Sequence, residues 1–363
     1  MNLPDYRTPS GVVVHRAGPR AGSLARAVAR ATEGRRGNAV VVTSPSVARE
    51  NDLLAEVRAA LRPDEVIEYS GAAANVPEGT VQEVVDGLRA TDASLIVSLG
   101  GASSIDTAKA AVHRLLGDRS RPRHITIPST LGGAEFTPFA GVTIGGVKRP
   151  VRAPELTPDA VVHSVAVLAR TPPQLLAESL TNAVSHCLEG LISPAATPVS
   201  VALQERALDL LVAGATGDRT NPDVLARIQE GAALAAMLPV PMGIAHALVH
   251  TIVAETGTRH GATHGVVAAA VARYNEDHGA FAGLRPAPQL ARGGGSGFAA
   301  LADALLDVLG TPRTLAELGV TPTQLDTVMD RLVAEGLPES VTAVQARELL
   351  DIAWRGHDPH TTT

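Results

Sequence analysis

Up to about residue 150, hydrophobic positions fall into two kinds of run: short continuous ones rich in Val, Ile and Leu, and longer ones spaced three or four apart. Strands are expected at Val12–His15, Asn38–Thr43, Glu65–Ser70, Ser94–Leu99 and His124–Pro128, and helices at Arg20–Thr32, Val47–Leu61, Glu78–Ala90 and Ile105–Leu116. Such alternation means a parallel sheet, because parallel neighbours need a long crossover to return to the same end. NAVVVT and SLIVSL are apolar at nearly every position, as strands covered on both faces are. After Pro172 the period is helical almost throughout, broken at Pro194, Pro198, Pro222, Pro239 and the Gly-rich segment Arg292–Gly297. No strand leads into that segment, so it reads as a surface loop. The expected layout is an α/β N-terminal domain over 1–160, Rossmann-like with a parallel sheet, and an all-α C-terminal domain over 161–363.

Composition removes several function classes. Aromatic residues make up only 2% of the chain, which argues against a stacking platform for single-stranded nucleic acid. The net charge of −6 argues against a polyanionic partner, and the basic clusters Arg35–Arg36 and Arg119–Arg123 read as solvated loops. Cys187 is the single cysteine, so neither an internal disulfide nor a zinc–thiolate cluster can form. The polar start MNLPDYRTPSG does not read as a signal peptide. Gly231–Ala254 carries no Asp, Glu, Lys or Arg, yet Pro239, Pro241, His246 and His250 interrupt it, and two consecutive buried helices are expected there rather than a membrane span. These features together suggest a cytoplasmic protein acting on a small molecule, without nucleic-acid or membrane partners.

Three constellations carry chemistry. Gly100-Gly101-Ala102-Ser103-Ser104-Ile105-Asp106-Thr107-Ala108-Lys109 joins a buried strand to a helix. Glycines there let backbone approach a ligand, and exposed amides at a helix start attract an anion such as a diphosphate. It is neither G-x-G-x-x-G nor a Walker loop. Ile127–Pro138 (IPSTLGGAEFTP) brings hydroxyls and glycines to the end of another strand. Two such loops at the carboxyl ends of parallel strands suit a dinucleotide. The third constellation is histidine: four of the twelve, His246, His250, His260 and His264, lie between residues 246 and 264, where an even spread would place fewer than one. His246 and His250 share a helix face, which suits a metal or a proton relay, and His186 lies one turn after Asn182 in another helical stretch.

GGASSIDTAK and IPSTLGGAEFTP resemble the cofactor motifs of the iron-type (group III) alcohol dehydrogenases, within the dehydroquinate synthase-like superfamily, and most of all those of the maleylacetate reductases. The resemblance implies the dehydroquinate synthase-like fold, a homodimer, and NADH or NADPH as cofactor. Cofactor contacts are expected from Ser44, Gly100, Gly101, Ala102, Ser103, Ser104, Asp106, Lys109, Ser129, Thr130, Gly133, Thr137 and Lys148. The catalytic group is expected at His186, His246, His250 and His260, and substrate contacts at Arg152, Arg259 and His264. In metal-dependent members an Asp and three His hold the ion, and those positions fall here on Asn182, His186, His246 and His260. Asn is a poor ligand, as in the maleylacetate reductases, so no metal is expected. Were one held, its ligands would be His186, His246 and His260. Lys148, Arg152, His264 and the AWRG around Trp354 also resemble that subgroup, whereas Ser164, Val253 and Ala254 depart from the family pattern.

The activity so implied is hydride transfer from NAD(P)H to an unsaturated oxo acid or related carbonyl compound. The alternatives are a metal-dependent alcohol or aldehyde dehydrogenase, and a member with non-redox or lost activity.

Overall fold

The computed structural model describes residues 4–356 except 36, 62–65, 118–120, 239, 242, 286–296 and 338–340. The chain divides into two compact units: residues up to Thr171 with Thr220–Gln229 and Ala236–Leu238, and a second from Pro172 to Arg219 with Glu230–Ala235 and the chain beyond Leu238.

In the first unit the chain runs β1 (Tyr6–Arg7), β2 (Val13–Ala17), α1 (Ser23–Ala31), β3 (Ala39–Thr43), α2 (Asn51–Leu61), β4 (Val66–Tyr69), α3 (Glu78–Ala90), β5 (Leu95–Gly100), α4 (Ala102–Arg114) and β6 (Arg123–Pro128). A hairpin of β7 (Phe139–Ile144) and β8 (Val147–Arg152) follows, then β9 (Ala160–Ser164) and the single turn α5 (Val165–Leu168). Seven strands form one sheet in the order β1-β2-β9-β6-β5-β3-β4, parallel except for β1. Side chains of β3 alternate between faces: Ala39 and Val41 pack with α1 and α2, Val40 and Val42 with α3 and α4. Covering both faces explains why β3 and β5 are buried at every position.

The expected parallel α/β architecture is present, with specific differences. α4 starts at Ala102, three residues before the apolar period begins, because Ala102 and the two serines form its first turn. The stretch Val47–Leu61 opens with a 3₁₀ turn at Val47–Arg49 before α2. The hairpin was not foreseen, although Gly145-Gly146 at φ 58° and 81° forms the two-residue turn that suits a twisted strand pair. β9, AVVHS, was also not foreseen. Arg121 and Arg123 are not loosely solvated: Arg121 pairs with Asp159, and Arg123, buried, donates to the carbonyl of Ala31 at 2.8 Å. Of the Gly-rich segment Arg292–Gly297, all but Gly297 lies outside the described residues.

Helices dominate the second unit: α6 (Pro173–Leu191), α7 (Pro198–Thr216), α8 (Pro222–Ala236, shared with the first unit), α9 (Ile244–Thr256), α10 (His260–Asp277), α11 (Phe298–Leu309), α12 (Pro322–Glu335) and α13 (Ala343–Arg355). Reciprocal side-chain caps start three of them, at Thr197/Ser200, Thr321/Gln324 and Thr342/Gln345. α9, α10, α12 and α13 share an aliphatic core. α10 lies against α6 at unusually short range, because a Cβ at Gly261 would sit 2.7 Å from the Glu178 carbonyl and one at Gly265 3.0 Å from Thr181 Oγ1. The uncharged run from Gly231 is divided between α8 and α9, and among the described residues no helix is long and apolar enough to cross a membrane.

Candidate active site

In the first unit, β3 leads through α2 outward to β4, whereas β5 leads through α4 the other way to β6. The loops after β3 and β5 therefore part company, and a crevice opens at the carboxyl ends of the two strands where open α/β sheets bind ligands. Ser44 stands at the end of β3, and Gly100, Gly101 and the first turn of α4 at the end of β5. Ser129 is tied alongside, its amide donating to the Gly100 carbonyl at 2.9 Å. Gly100 adopts φ +147°, and a Cβ there would meet Ser104 Oγ at 2.6 Å. At Gly101 a Cβ would approach the Thr130 side chain to 3.2 Å. The Ser104 and Thr43 hydroxyls are buried without a hydrogen-bond partner. Unpartnered hydroxyls, free amides at the start of α4 and two loops pared to backbone fit a diphosphate. Gly133, at φ +73°, turns the second motif into a short helical turn over Ala134–Phe136.

Lys109 has another place than the sequence suggests. It is fully buried, and its ammonium donates to the carbonyls of Ala134, Thr137 (2.8 Å) and Phe139 (2.9 Å) and to Thr137 Oγ1 (3.1 Å). One helical turn earlier, Asp106 Oδ2 accepts from the Gly141 amide at 3.2 Å. α4 thus grips the second motif and the hairpin, and Lys109 braces the 134–139 loop from behind. Burial lowers its pKa to about 8, and burial likewise lowers that of Lys148, while it raises that of Asp106 against the pull of Lys109, the Gly141 amide and Lys148. Lys109→Met leaves several buried carbonyls without a donor, and a loss of about 3–5 kcal/mol in urea unfolding is expected, with weaker nucleotide binding in the surviving fold. Unchanged stability would mean the loop does not depend on this ammonium.

In the second unit five histidines form one cluster. Ring centroids lie 4.8 Å apart for His186 and His246, 4.5 Å for His246 and His264, 4.6 Å for His260 and His264, 5.3 Å for His250 and His260, and 6.5 Å for His246 and His250. The close packing of α6 on α10 through Gly261 and Gly265 brings these rings together. His264, expected as a substrate contact, stands at the centre, fully buried with neither ring nitrogen partnered among the described residues. Burial first, then the neighbouring histidines, hold His264 neutral and push His186 down to about 3. His246 Nε2 and Asn182 Oδ1 also lack partners. The cluster therefore offers several unsatisfied polar atoms to a polar ligand.

Glu178 and Glu189 escaped the sequence reading, although with Asn182 and His186 they follow a helical period along one face of α6. Glu178, 2% exposed, accepts from Arg259 Nε at 2.8 Å. Arg259 is thus already paired, though more than half exposed. Arg152 and Lys148 belong to the hairpin of the other unit, where Arg152 lies over the Phe139 ring at 4.9 Å. Ser164, the departure before the helical region, caps α5 by accepting from the Val167 amide at 3.3 Å.

Among the described residues, no three His, Cys, Asp or Glu side chains are grouped to hold an ion. Asn182, at the position expected for a carboxylate ligand, supplies no charge.

Residues 17–164 match the family described as iron-containing alcohol dehydrogenase, and residues 176–353 match the C-terminal part of the Fe-containing alcohol dehydrogenase family. Maleylacetate reductase of Rhizobium sp. (strain MTP-10005) is 30% identical over 88% of this chain and 90% of its own length. Maleylacetate reductase 2 of Cupriavidus pinatubonensis is 32% identical over a shorter stretch, and there the chain spans about half, 51%, of that relative. The crystal structure of maleylacetate reductase from Agrobacterium tumefaciens superimposes with a TM-score of 0.80 at 25% identity, covering 99% of this chain and 100% of that one. The chain belongs to the iron-containing alcohol dehydrogenase family. It is an oxidoreductase with that family's fold, and the relatives compared above are maleylacetate reductases.

Proposed function

We propose that this enzyme is an NAD(P)H-dependent reductase of an unsaturated oxo diacid of the maleylacetate type. The observation that carries the reading is the joint presence of a glycine-lined strand–helix junction after β5 and a cluster of five histidines. The maleylacetate reductases among its relatives support the substrate class.

When bound, a nicotinamide nucleotide supplies the hydride. The free amides at the start of α4, with the hydroxyls of Ser103 and Ser104, bind the diphosphate, and Gly100 and Gly101 let it approach. Thr130 and Gly133 line the neighbouring loop, which Lys109 holds in shape. Reduction of a carbon–carbon double bond conjugated to a ketone moves negative charge onto the ketone oxygen. The histidines stabilise that oxygen by hydrogen bonds and deliver a proton to it. A cationic side chain holds a substrate carboxylate, with Arg259, more than half exposed on the same unit as the histidines, as the candidate. The lone, buried Cys187 suits a reducing, cytoplasmic setting, and a homodimer is the proposed assembly.

β3 ends at Thr43 and runs into Ser44-Pro45-Ser46, with no acid to hold an adenosine ribose 2′-hydroxyl. A screen of unsaturated oxo acids and aldehydes, following nucleotide absorbance, is expected to show oxidation of NADH and NADPH at similar efficiency with the oxo diacid. A preference for NADH of about a hundredfold, roughly 2.7 kcal/mol, would refute the cofactor part. Turnover of simple aldehydes but not of oxo diacids would refute the substrate class.

A further inference from the structure

Glu189 lies two turns beyond Asn182 on α6 and is 5% exposed. A buried carboxylate needs partners for both oxygens, and both are supplied by α9. Oε1 accepts from the Ala245 amide at 2.8 Å, in the first turn of α9, where the positive end of the helix favours an anion. Oε2 is hydrogen-bonded to His246 Nδ1. Room for the carboxylate comes from Gly243, where a Cβ would stand 2.9 Å from Oε1. With one oxygen fixed by backbone, the other cannot turn away from the ring.

We propose that Glu189 is the positioning residue that makes His246 the proton donor of the histidine cluster. The inference rests on the reductive chemistry proposed above and names which histidine delivers the proton. An ionised carboxylate can only accept, so Nδ1 carries the hydrogen in both protonation states of the ring. That leaves Nε2 as the free face of the ring: it is buried, has no partner among the described residues, and belongs to the ring lying 4.5 Å from His264 and 4.8 Å from His186. Those two neighbours have no carboxylate hydrogen bond of this kind among the described contacts, and burial keeps them neutral. A protonated His246 is balanced by Glu189 and holds an Nε2–H donor. As the hydride's electron pair forms the new C–H bond, the C=C pair shifts toward the carbonyl carbon and the carbonyl pair moves onto oxygen; Nε2–H breaks, its proton forms the O–H bond, and the resulting enol tautomerises to the ketone. The neutral ring remains seated on Glu189 and regains a proton from water.

The test is Glu189→Gln. Its amide oxygen can still accept from Ala245, which turns the NH₂ toward Nδ1 and drives the ring hydrogen to Nε2. In protein labelled with ¹⁵N-histidine, with His246→Ala identifying the signal, the nitrogen shifts of wild type are expected to show hydrogen on Nδ1, and those of Glu189→Gln to show it on Nε2. Turnover of the variant is expected to fall on the order of 10²–10³, no further than in His246→Ala, because Glu189 acts only through that ring. KM for the nucleotide is expected to stay within about twofold, since the first unit is untouched, whereas a merely structural loss would disturb both. The proposal is overturned if wild-type His246 carries hydrogen on Nε2 and none on Nδ1, a result that needs no folded variant, or if turnover falls only a few-fold while the tautomer switches. The spectra do not depend on the substrate. An Nδ1–H signal that switches in the variant, in an enzyme inert toward oxo diacids, would refute the substrate class and leave the pairing standing.

Discussion

His246→Ala and His250→Ala are each expected to lower turnover by roughly 10²–10³, the usual cost of removing one donor to a developing oxyanion. The fold should survive, since the apolar residues of α9 pack in the aliphatic core while these two rings turn toward the other histidines, although His246→Ala also leaves Glu189 Oε2 unpaired and lowers stability. Circular dichroism checks the fold, and single-turnover nucleotide oxidation checks the chemistry. Dialysis of the wild type against a chelator is expected to leave activity unchanged. Asn182 brings no negative charge, so a dication would face neutral imidazoles in its place. Three-histidine zinc sites exist in other enzymes, so the experiment is a real one. Activity lost on chelation and restored by Zn²⁺ or Fe²⁺ would replace the metal-free reading with that of a metal-dependent alcohol dehydrogenase.

Gly101→Val is expected to weaken NADH binding by on the order of a hundredfold or more, about 2.7 kcal/mol, with little change in fold. Gly101 has φ −82° and ψ −169°, a conformation open to any residue, so the backbone itself is not strained. Its Cβ would press on Thr130 at 3.2 Å, and the methyl groups would cover the amides that begin α4. Fluorescence titration with NADH provides the measurement. Wild-type affinity in this variant would place the nucleotide elsewhere. Gly100 is a poorer probe, because φ +147° strains any side chain there and confuses folding with binding.

Local pattern was enough to establish the parallel α/β architecture and the helical remainder. Continuous apolar runs such as NAVVVT occur where a strand is covered on both faces, and a 3.6-residue period occurs where a helix buries one. The Gly-rich motif after β5 was equally legible, since backbone approach to an anion needs glycine at a strand–helix junction. Weak local signals hid the rest. β9 is five residues long, and its burial depends on pairing with β2 and β6. The histidines could be counted, but not placed. Only the packing of α10 on α6, through Gly261 and Gly265, decides that His264 is central and that His186 meets His246. Lys109 reads as a ligand-binding cation until the fold surrounds its ammonium with carbonyls from residues 134–139. Glu189 reads as one more acid on a helix until α9, far along the chain, presents an amide and an imidazole to it. Periodicity and motif depend on neighbours in sequence and are written there. Which charge is spent on backbone and which is left for chemistry depends on neighbours in space, and that was decided by the tertiary structure alone.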